Sequence, residues 1–330
     1  CRAKNTIDDK IKNKISLFTN VDKKAVFSAQ DAKSIYEIPI YYKNQNIDEY
    51  ILKKLKVPHK KSVIKPWVTF TNKLRKCNRK VKIGMIGKYV DLADSYKSLN
   101  ESLLHASVHN NNSLEIDFID SEDITKNNIK RLKNLQGIVV PGGFGNRGVE
   151  GKILAANFAR INNIPYFGIC LGMQISVIEF ARNILGLKDA NSTEFDLKTP
   201  FPVISLVTEW DDYKKGKLKG SLHQMGGTMR LGAQSCTLMK KTLAHSLYKK
   251  NIISERHRHR YEVNNKFVDQ FNETDLVFSG YSGNKDLMEM LELKHHPWYL
   301  ASQFHPEFTS SPLKGHPLFN SFIKTAYETK

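Results

Sequence analysis

From residue 81 onward the chain alternates short apolar runs with helical patterns of apolar positions. Residues 81–86 (VKIGMI) are a compact apolar run ending near glycine, and residues 95–108 place apolar side chains three and four apart, which predicts a strand followed by a helix. A strand at 114–119 and a helix near 124–132 are predicted next. Residues 137–140 (GIVV) form another buried strand that runs into a glycine cluster, followed by a helix at 151–161, a strand at 166–169 and a helix at 171–181. Strands and helices in this alternation predict an α/β fold: a mostly parallel sheet with helices on both faces. Such sheets carry their chemistry at the carboxyl ends of the strands.

The pattern before residue 81 is weaker. Residues 12–20 (KNKISLFTN) and 34–42 (SIYEIPIYY) read as short strands or turns, and 47–55 as a helix. Residues 56–80 turn basic and irregular, with Pro58 and Pro66, as a linker or domain edge would. The expected division is therefore 1–55, a linker at 56–80, and a main domain at 81–330. Because the first residue is Cys1 and no opening strand of a nucleotide-binding domain follows it, the chain reads as the back end of something longer.

A length of 330 residues with 40% hydrophobic content suits about two domains. No run approaches the ~20 apolar residues of a membrane span, and the N-terminus, with Asp8 and Asp9, has no signal-peptide pattern. A cytoplasmic protein with no membrane partner is expected. Cys1, Cys77, Cys170 and Cys236 form neither a disulfide framework nor a CxxC pair, which leaves a cysteine free to act as a nucleophile. The net charge of +18 raises the question of an anionic partner. Lysines spread over 10–14, 126–133 and 214–219 read instead as drift on solvated faces, and neither interleaved aromatics nor a recognition motif supports a nucleic-acid-binding module.

The sharpest local feature is Gly168-Ile169-Cys170-Leu171-Gly172, where a strand meets a helix. Small neighbours let the backbone turn sharply and lift the nucleophile clear of the sheet. The helix that starts there aims its positive end at Cys170, favouring thiolate, and offers backbone N–H groups to an oxyanion. Pro141-Gly142-Gly143-Phe144-Gly145 follows the preceding strand and would lie beside this elbow. A thiolate needs a proton carrier, and Gln303-Phe304-His305-Pro306-Glu307 supplies one: His305 and Glu307 would share one side of an extended segment, so that the carboxylate orients the ring. Other histidines, among them His295, His296 and His316, read as loop residues without a role.

Together these features resemble the class I glutamine amidotransferases, which use a Cys-His-Glu triad on a flavodoxin-like sheet. Residues 191–195 (NSTEF), 226–232 (GGTMRLG) and 255–264 (ERHRHRYEVN) are, more narrowly, similar to the C-terminal half of the CTP synthase family, over about residues 14–322. The resemblance implies Cys170, His305 and Glu307 as catalytic residues. It implies glutamine binding by Gly143, Leu171, Gly172, Met173, Gln174, Glu194 and Arg260, with Gly143 and Leu171 giving oxyanion N–H groups. An arginine suits the substrate carboxylate and an acidic residue its ammonium; a solvated basic strand face or a phosphate contact is the less favoured reading of the Arg/His alternation at 256–260.

By the same resemblance Lys14 would touch UTP or CTP, and Gln30, Asp31 and Ala32 would edge an ATP site. Residues 1–55 would be the tail of a synthetase domain, and the segment 226–232 a lid linked to the allosteric activator GTP. No cofactor would bind the amidotransferase domain, ATP and Mg²⁺ would serve only the complete enzyme, and the assembly would be a homo-oligomer, tetrameric as in the family. No GxxxxGK[ST] pattern occurs in the chain, so only the glutaminase half of the reaction that aminates UTP is expected of it. Another class I amidotransferase, a related cysteine hydrolase and an inactive remnant are the rival readings.

Overall fold

The computed structural model describes all residues except 59–61, 89–93, 207–208, 213–215, 220–228, 283–286 and 330. It divides into two compact units, Cys1–Cys77 and Asn78–Lys330.

The first unit pairs two short parallel strands, β1 (Arg2–Ala3) and β2 (Ala29–Gln30), and is otherwise helical: α1 (Asp9–Thr19), α2 (Ile38–Asn44), α3 (Ile47–Lys54) and α4 (Lys65–Lys76). Residues 12–20, read as strand or turn, lie almost wholly in α1. Asp8 caps that helix by accepting from the Ile11 N–H at 2.8 Å, and Asn20 closes it in the left-handed region at φ 53°. The apolar spacing Ile11, Ile15, Phe18 was helical, and the β-branched residues masked it. Residues 34–42 are likewise a 3-10 turn running into α2, with Ser34 accepting from Tyr36 N–H and a proline in the first helical turn. The stretch read as linker holds α4, which Pro66 starts and whose Trp67 and Phe70 pack on Tyr36. Buried Glu37 ties the unit together: it accepts from Arg75 (2.6 Å) and Tyr41 (2.8 Å), and Arg75 holds its carboxyl below the usual range.

The second unit follows the predicted alternation through its first half. β3 (Arg79–Gly87), α5 (Lys97–His109), β4 (Asn112–Asp120), β5 (Gly137–Val140), α6 (Val149–Ile161), β6 (Tyr166–Ile169) and α7 (Leu171–Asn183) come in order. The helix expected near 124–132 is replaced by two 3-10 turns, Ser121–Asp123 and Ile129–Asn134. Asn128 explains the change: its side chain accepts from Thr125 N–H at 2.9 Å and donates to Asp123 O at 2.6 Å, local bonds that compete with a helix.

The rest comprises β7 (Ala190–Ser192), β8 (Phe201–Leu206), a hairpin of β9 (Glu209–Asp212) with β10 (Gly216–Lys219), β11 (Arg230–Leu238), α8 (Leu243–Tyr248), β12 (Ile252–His259), β13 (Tyr261–Val263), α9 (Val268–Asn272), β14 (Leu276–Tyr281), β15 (Met288–Leu293), β16 (Tyr299–Ser302) and α10 (Pro317–Glu328). A nine-stranded sheet runs β12-β11-β14-β15-β16-β6-β5-β3-β4, parallel from β16 to β4 and antiparallel from β12 to β16. The expected parallel sheet is thus one half of a mixed one. β13, β8 and β7 form a separate three-stranded sheet.

Helices cover both faces of the parallel half, because successive strand residues point to opposite sides. Ile138, Val140 and Tyr166 join the core with α6 and α7, whereas Val139, Phe167 and Ile169 join the core with α5 and α10. With both faces buried, these strands are continuously apolar, which made them legible as short runs.

Candidate active site

The turn from β6 into α7 is held by close backbone approaches. Cys170 sits at φ 53° and ψ −102°, a strained conformation for a residue with a Cβ. Its N–H donates to Ser302 O on neighbouring β16 at 2.7 Å. Gly172 faces the carbonyl of Val140 at the end of β5 so closely that a Cβ there would run into it, so glycine is what lets α7 start here. Met173 and Gln174 N–H turn back to Cys170 O at 3.0 and 3.3 Å, and no side chain caps the helix. The N–H groups of Leu171 and Gly172 are then those that a helix start leaves without an intrahelical acceptor.

The elbow does not stand clear in solvent. Cys170 is only 2% exposed, covered by elements that converge on it. Gly142, after β5, lies against it: a Cβ on that glycine would be 2.8 Å from His305 Cε1 and 3.4 Å from Cys170 Cβ. Gly143 is next to the Leu171 side chain and to Lys88, whose ammonium donates to the carbonyl of Phe144. On the far side Gln303, fully buried, points its side-chain nitrogen at Cys170 Sγ, 3.7 Å away, and Arg258 O lies 3.9 Å from the sulfur.

His305 Nδ1 is 2.7 Å from Glu307 Oε1. The pair is not on an extended strand as the sequence suggested. β16 ends at Ser302, and Glu307 lies in a 3-10 turn, Pro306–Phe308, that brings the carboxylate back to the ring. That turn is anchored by His305 N–H to Arg256 O (2.8 Å) and by the Ser102 hydroxyl to Glu307 O (3.2 Å). Burial by itself would lower the pKa of His305. The charge and hydrogen bond of Cys170, followed by those of Glu307, outweigh it and raise the ring to about 10. These contacts favour the imidazolium form, with the nucleophile on one side of the ring and a carboxylate on the other.

A cavity of about 260 Å³ opens beside these groups, walled by Cys170, Gly142, Gly143, His305, Arg258 and Tyr96 among others. Glu194 follows β7 and accepts from Gly145 N–H at 2.6 Å, which joins it to the glycine cluster; burial raises its carboxyl. Arg260 sits at the single-residue step between β12 and β13. Burial raises the pKa of the Tyr261 hydroxyl, the Glu194 charge adds to that rise and the Arg260 charge opposes it. The Gln174 side chain is turned inward, donating to Tyr261 O at 2.9 Å and to Gln303 Oε1 at 3.3 Å. Gln303, Ser102 and Lys88 were not assigned roles from sequence. Gln303 carried the clearest signal of them, since in the expected extended segment it would fall two residues before His305 and share its side of the chain.

The candidate nucleotide residues lie in the first unit. Lys14 is exposed on α1, Gln30 accepts from the Thr6 hydroxyl at 2.5 Å, Asp31 pairs with Arg2 at 2.6 Å, and Ala32 follows. Residues 1–77 contain no glycine, so this unit offers no glycine-rich loop to cradle a triphosphate, and these residues do not by themselves fit one. Of the lid segment 226–232, residues 226–228 lie outside the described residues. Arg230 is buried between Glu262 (2.7 Å) and Glu289 (2.8 Å). His257, His259 and Glu289 are close enough to hold a metal ion, but the Arg230 cation already occupies the Glu289 carboxylate and opposes a second positive charge.

Comparison with known proteins agrees with this geometry. The family described as glutamine amidotransferase class-I matches residues 91–325, and that described as CTP synthase N-terminus matches residues 1–57. A solved Trypanosoma brucei CTPS glutaminase domain with bound acivicin is similar at 39% identity and a TM-score of 0.67, over 75% of this chain and 94% of that one.

The chain belongs to the CTP synthase family of class I glutamine amidotransferases.

Glutamine is accordingly its substrate. A Thermotoga maritima glutamine amidotransferase (11% identity, TM-score 0.41, 69% of this chain and 76% of that) and one from Methylobacillus flagellatus (10%, 0.42, 69% and 70%) are too distant to add to the argument.

Proposed function

We propose that this CTP synthase family member hydrolyses glutamine at Cys170 and that the ammonia serves the ATP-dependent amination of UTP. The observation that carries the first part is the chain of contacts Cys170, His305, Glu307 at a strained strand-to-helix turn. The Cys170 thiolate adds to the carboxamide carbon, and the oxyanion is met by N–H groups of Gly143 and Leu171. The intermediate collapses with cleavage of the C–N bond as His305 gives its proton to the departing nitrogen, leaving ammonia and a glutamyl thioester. Neutral His305 then takes a proton from water, the resulting hydroxide attacks the thioester, and the thiolate leaves with glutamate as product. The starting ion pair is restored.

Glu194 and Arg260 would hold the ammonium and carboxylate of glutamine. Leu171, Gly172 and Met173, the first turn of α7, would contribute to the glutamine site, and Gln174 would act through Tyr261, next to Arg260. For the second part, the match of residues 1–57 to the CTP synthase N-terminus supports a synthetase portion. Lys14, Gln30, Asp31 and Ala32 would contribute to its nucleotide sites, with GTP as activator and a homo-oligomeric assembly as further parts of the proposal. When bound, ATP with Mg²⁺ would supply the phosphoryl group that activates UTP. Free cysteines and the absence of a helix long and apolar enough to cross a membrane, among the described residues, support a cytoplasmic site. Glutamate release from glutamine by the purified chain tests the reading; no release with a folded protein overturns it.

A further inference from the structure

We propose that Gln303 is a catalytic residue of the glutaminase site, its side-chain amide donating a hydrogen bond to the Cys170 sulfur and stabilising it as thiolate. This rests on the glutaminase reading above.

The orientation of the amide follows from its neighbours. A backbone carbonyl can only accept, so the Gln174 group 2.9 Å from Tyr261 O is its nitrogen. That same nitrogen faces Gln303 at 3.3 Å, so Gln303 presents its oxygen there. Its nitrogen is left pointing at Cys170 Sγ, 3.7 Å away. The relay Tyr261 O, Gln174, Gln303, Cys170 thus has one consistent direction, and it ends on the nucleophile.

The surroundings give that last bond weight. Gln303 has no exposed surface and Gln174 only 3%. Water therefore does not compete for the sulfur from this side, and a donor in a dry site favours the charged acceptor over the neutral thiol, a poor acceptor. Gln303 is also rigid: its N–H donates to Glu289 O at 2.8 Å on adjacent β15. His305 approaches the sulfur as a cation that must later give its proton away, so its help is withdrawn during turnover. The amide of Gln303 does not titrate, so its hydrogen bond stays available to the sulfur through the cycle, both for the attacking thiolate and for the thiolate that the collapsing deacylation intermediate expels.

Two variants test this. Gln303→Glu keeps an oxygen toward Gln174 while removing the amide donor, and Gln303→Met removes both polar groups at similar length. Each is measured for glutamine kinetics and for the rate at which iodoacetamide alkylates Cys170 at neutral pH, followed by peptide mapping, with exposed Cys1 as internal reference. Loss of a hydrogen bond to a charged group predicts a fall of about tenfold to a hundredfold in kcat. Alkylation of Cys170 should slow by a similar factor, with KM for glutamine within about threefold and Cys1 unaffected. Folded variants whose Cys170 alkylates at the parental rate overturn the proposal, as does failure of both variants to fold, which would make Gln303 a packing residue. If only Gln303→Met unfolds, Gln303→Glu decides. If the parent alkylates at Cys170 but releases no glutamate, the glutaminase reading fails while the alkylation comparison still judges Gln303.

Discussion

Glu307 Oε1 lies 2.7 Å from His305 Nδ1 across a single 3-10 turn, two residues apart in the chain. The carboxylate therefore fixes which ring nitrogen faces Cys170 and stabilises the imidazolium. Glu307→Gln retains an acceptor in the same place but not the charge. We expect kcat for glutamine hydrolysis to fall by at least about tenfold with KM little changed, because the loss falls on proton transfer and not on binding. Steady-state kinetics of the variant check this, and a parental kcat would remove Glu307 from the mechanism.

The raised pKa of His305 predicts a pH dependence of stability. The ring is held at about 10 in the folded chain against an ordinary value of 6.5, opposed by burial and supported first by Cys170 and then by Glu307. A group whose folded pKa is raised adds stability that is fully present below the unfolded value and is lost as pH climbs through the folded one. The contribution should therefore decline between about 6.5 and 10. In Cys170→Ala the partner that does most to hold the proton is gone, so the ring should titrate lower and the alkaline loss of stability should shrink. The same variant should release no glutamate. Thermal melts across this range, with NMR titration of the ring, measure the first effect; identical profiles for parent and variant would contradict it.

What could be read from sequence divides along physical lines. The parallel half of the sheet was visible because strands such as Gly137–Val140 and Tyr166–Ile169 are buried on both faces and stand out as short apolar runs between helices. The antiparallel half was not. β12 alternates exposed and buried residues, and beside Ile253 its buried side carries Glu255, His257 and His259, so its core face is mostly polar and gives little apolar signal. α1 was missed for its β-branched composition, although Asp8 and Asn20 mark its two ends. At the site, glycine spacing and the His-Pro-Glu run pointed to the chemistry. The contact of Gln303 with the sulfur depends on how β16 and β6 pair, which local sequence does not specify.

Gly142 offers a separate check on the packing of the site. A Cβ there would lie 2.8 Å from His305 Cε1, closer than real contacts allow, whereas its distance of 3.4 Å to Cys170 Cβ is ordinary. Gly142→Ala should therefore push the His305 ring and leave the elbow in place. Misplacement of a proton carrier by less than 1 Å predicts a loss in kcat of about tenfold or more, with a melting temperature close to parental. Kinetics paired with thermal melts test it; a large drop in melting temperature would show that the backbone moved instead of the ring.

The carboxylate clamp proposed for Arg260 would act on binding more than on chemistry. It occupies the one-residue step between β12 and β13, and the next residue, Tyr261, is fixed through its carbonyl by Gln174 from the first turn of α7. The nucleophile's own helix thus sets the position of the arginine, while Glu194 is set by Gly145 of the glycine cluster. A guanidinium so placed can clamp the α-carboxylate of glutamine, which carries the same charge in the ground and transition states. Such a contact contributes equally to both, so its removal raises KM and spares kcat. Arg260→Ala should increase KM by about tenfold to a hundredfold, the worth of a charge-assisted pair, with kcat within about threefold. Arg260→Lys should recover only part of the loss, because an ammonium cannot meet both carboxylate oxygens in the planar manner of a guanidinium. Initial rates over a wide range of glutamine concentration separate the two constants. A normal KM in Arg260→Ala would place the carboxylate elsewhere, and a fall in kcat at unchanged KM would mean that Arg260 acts on the reacting groups themselves.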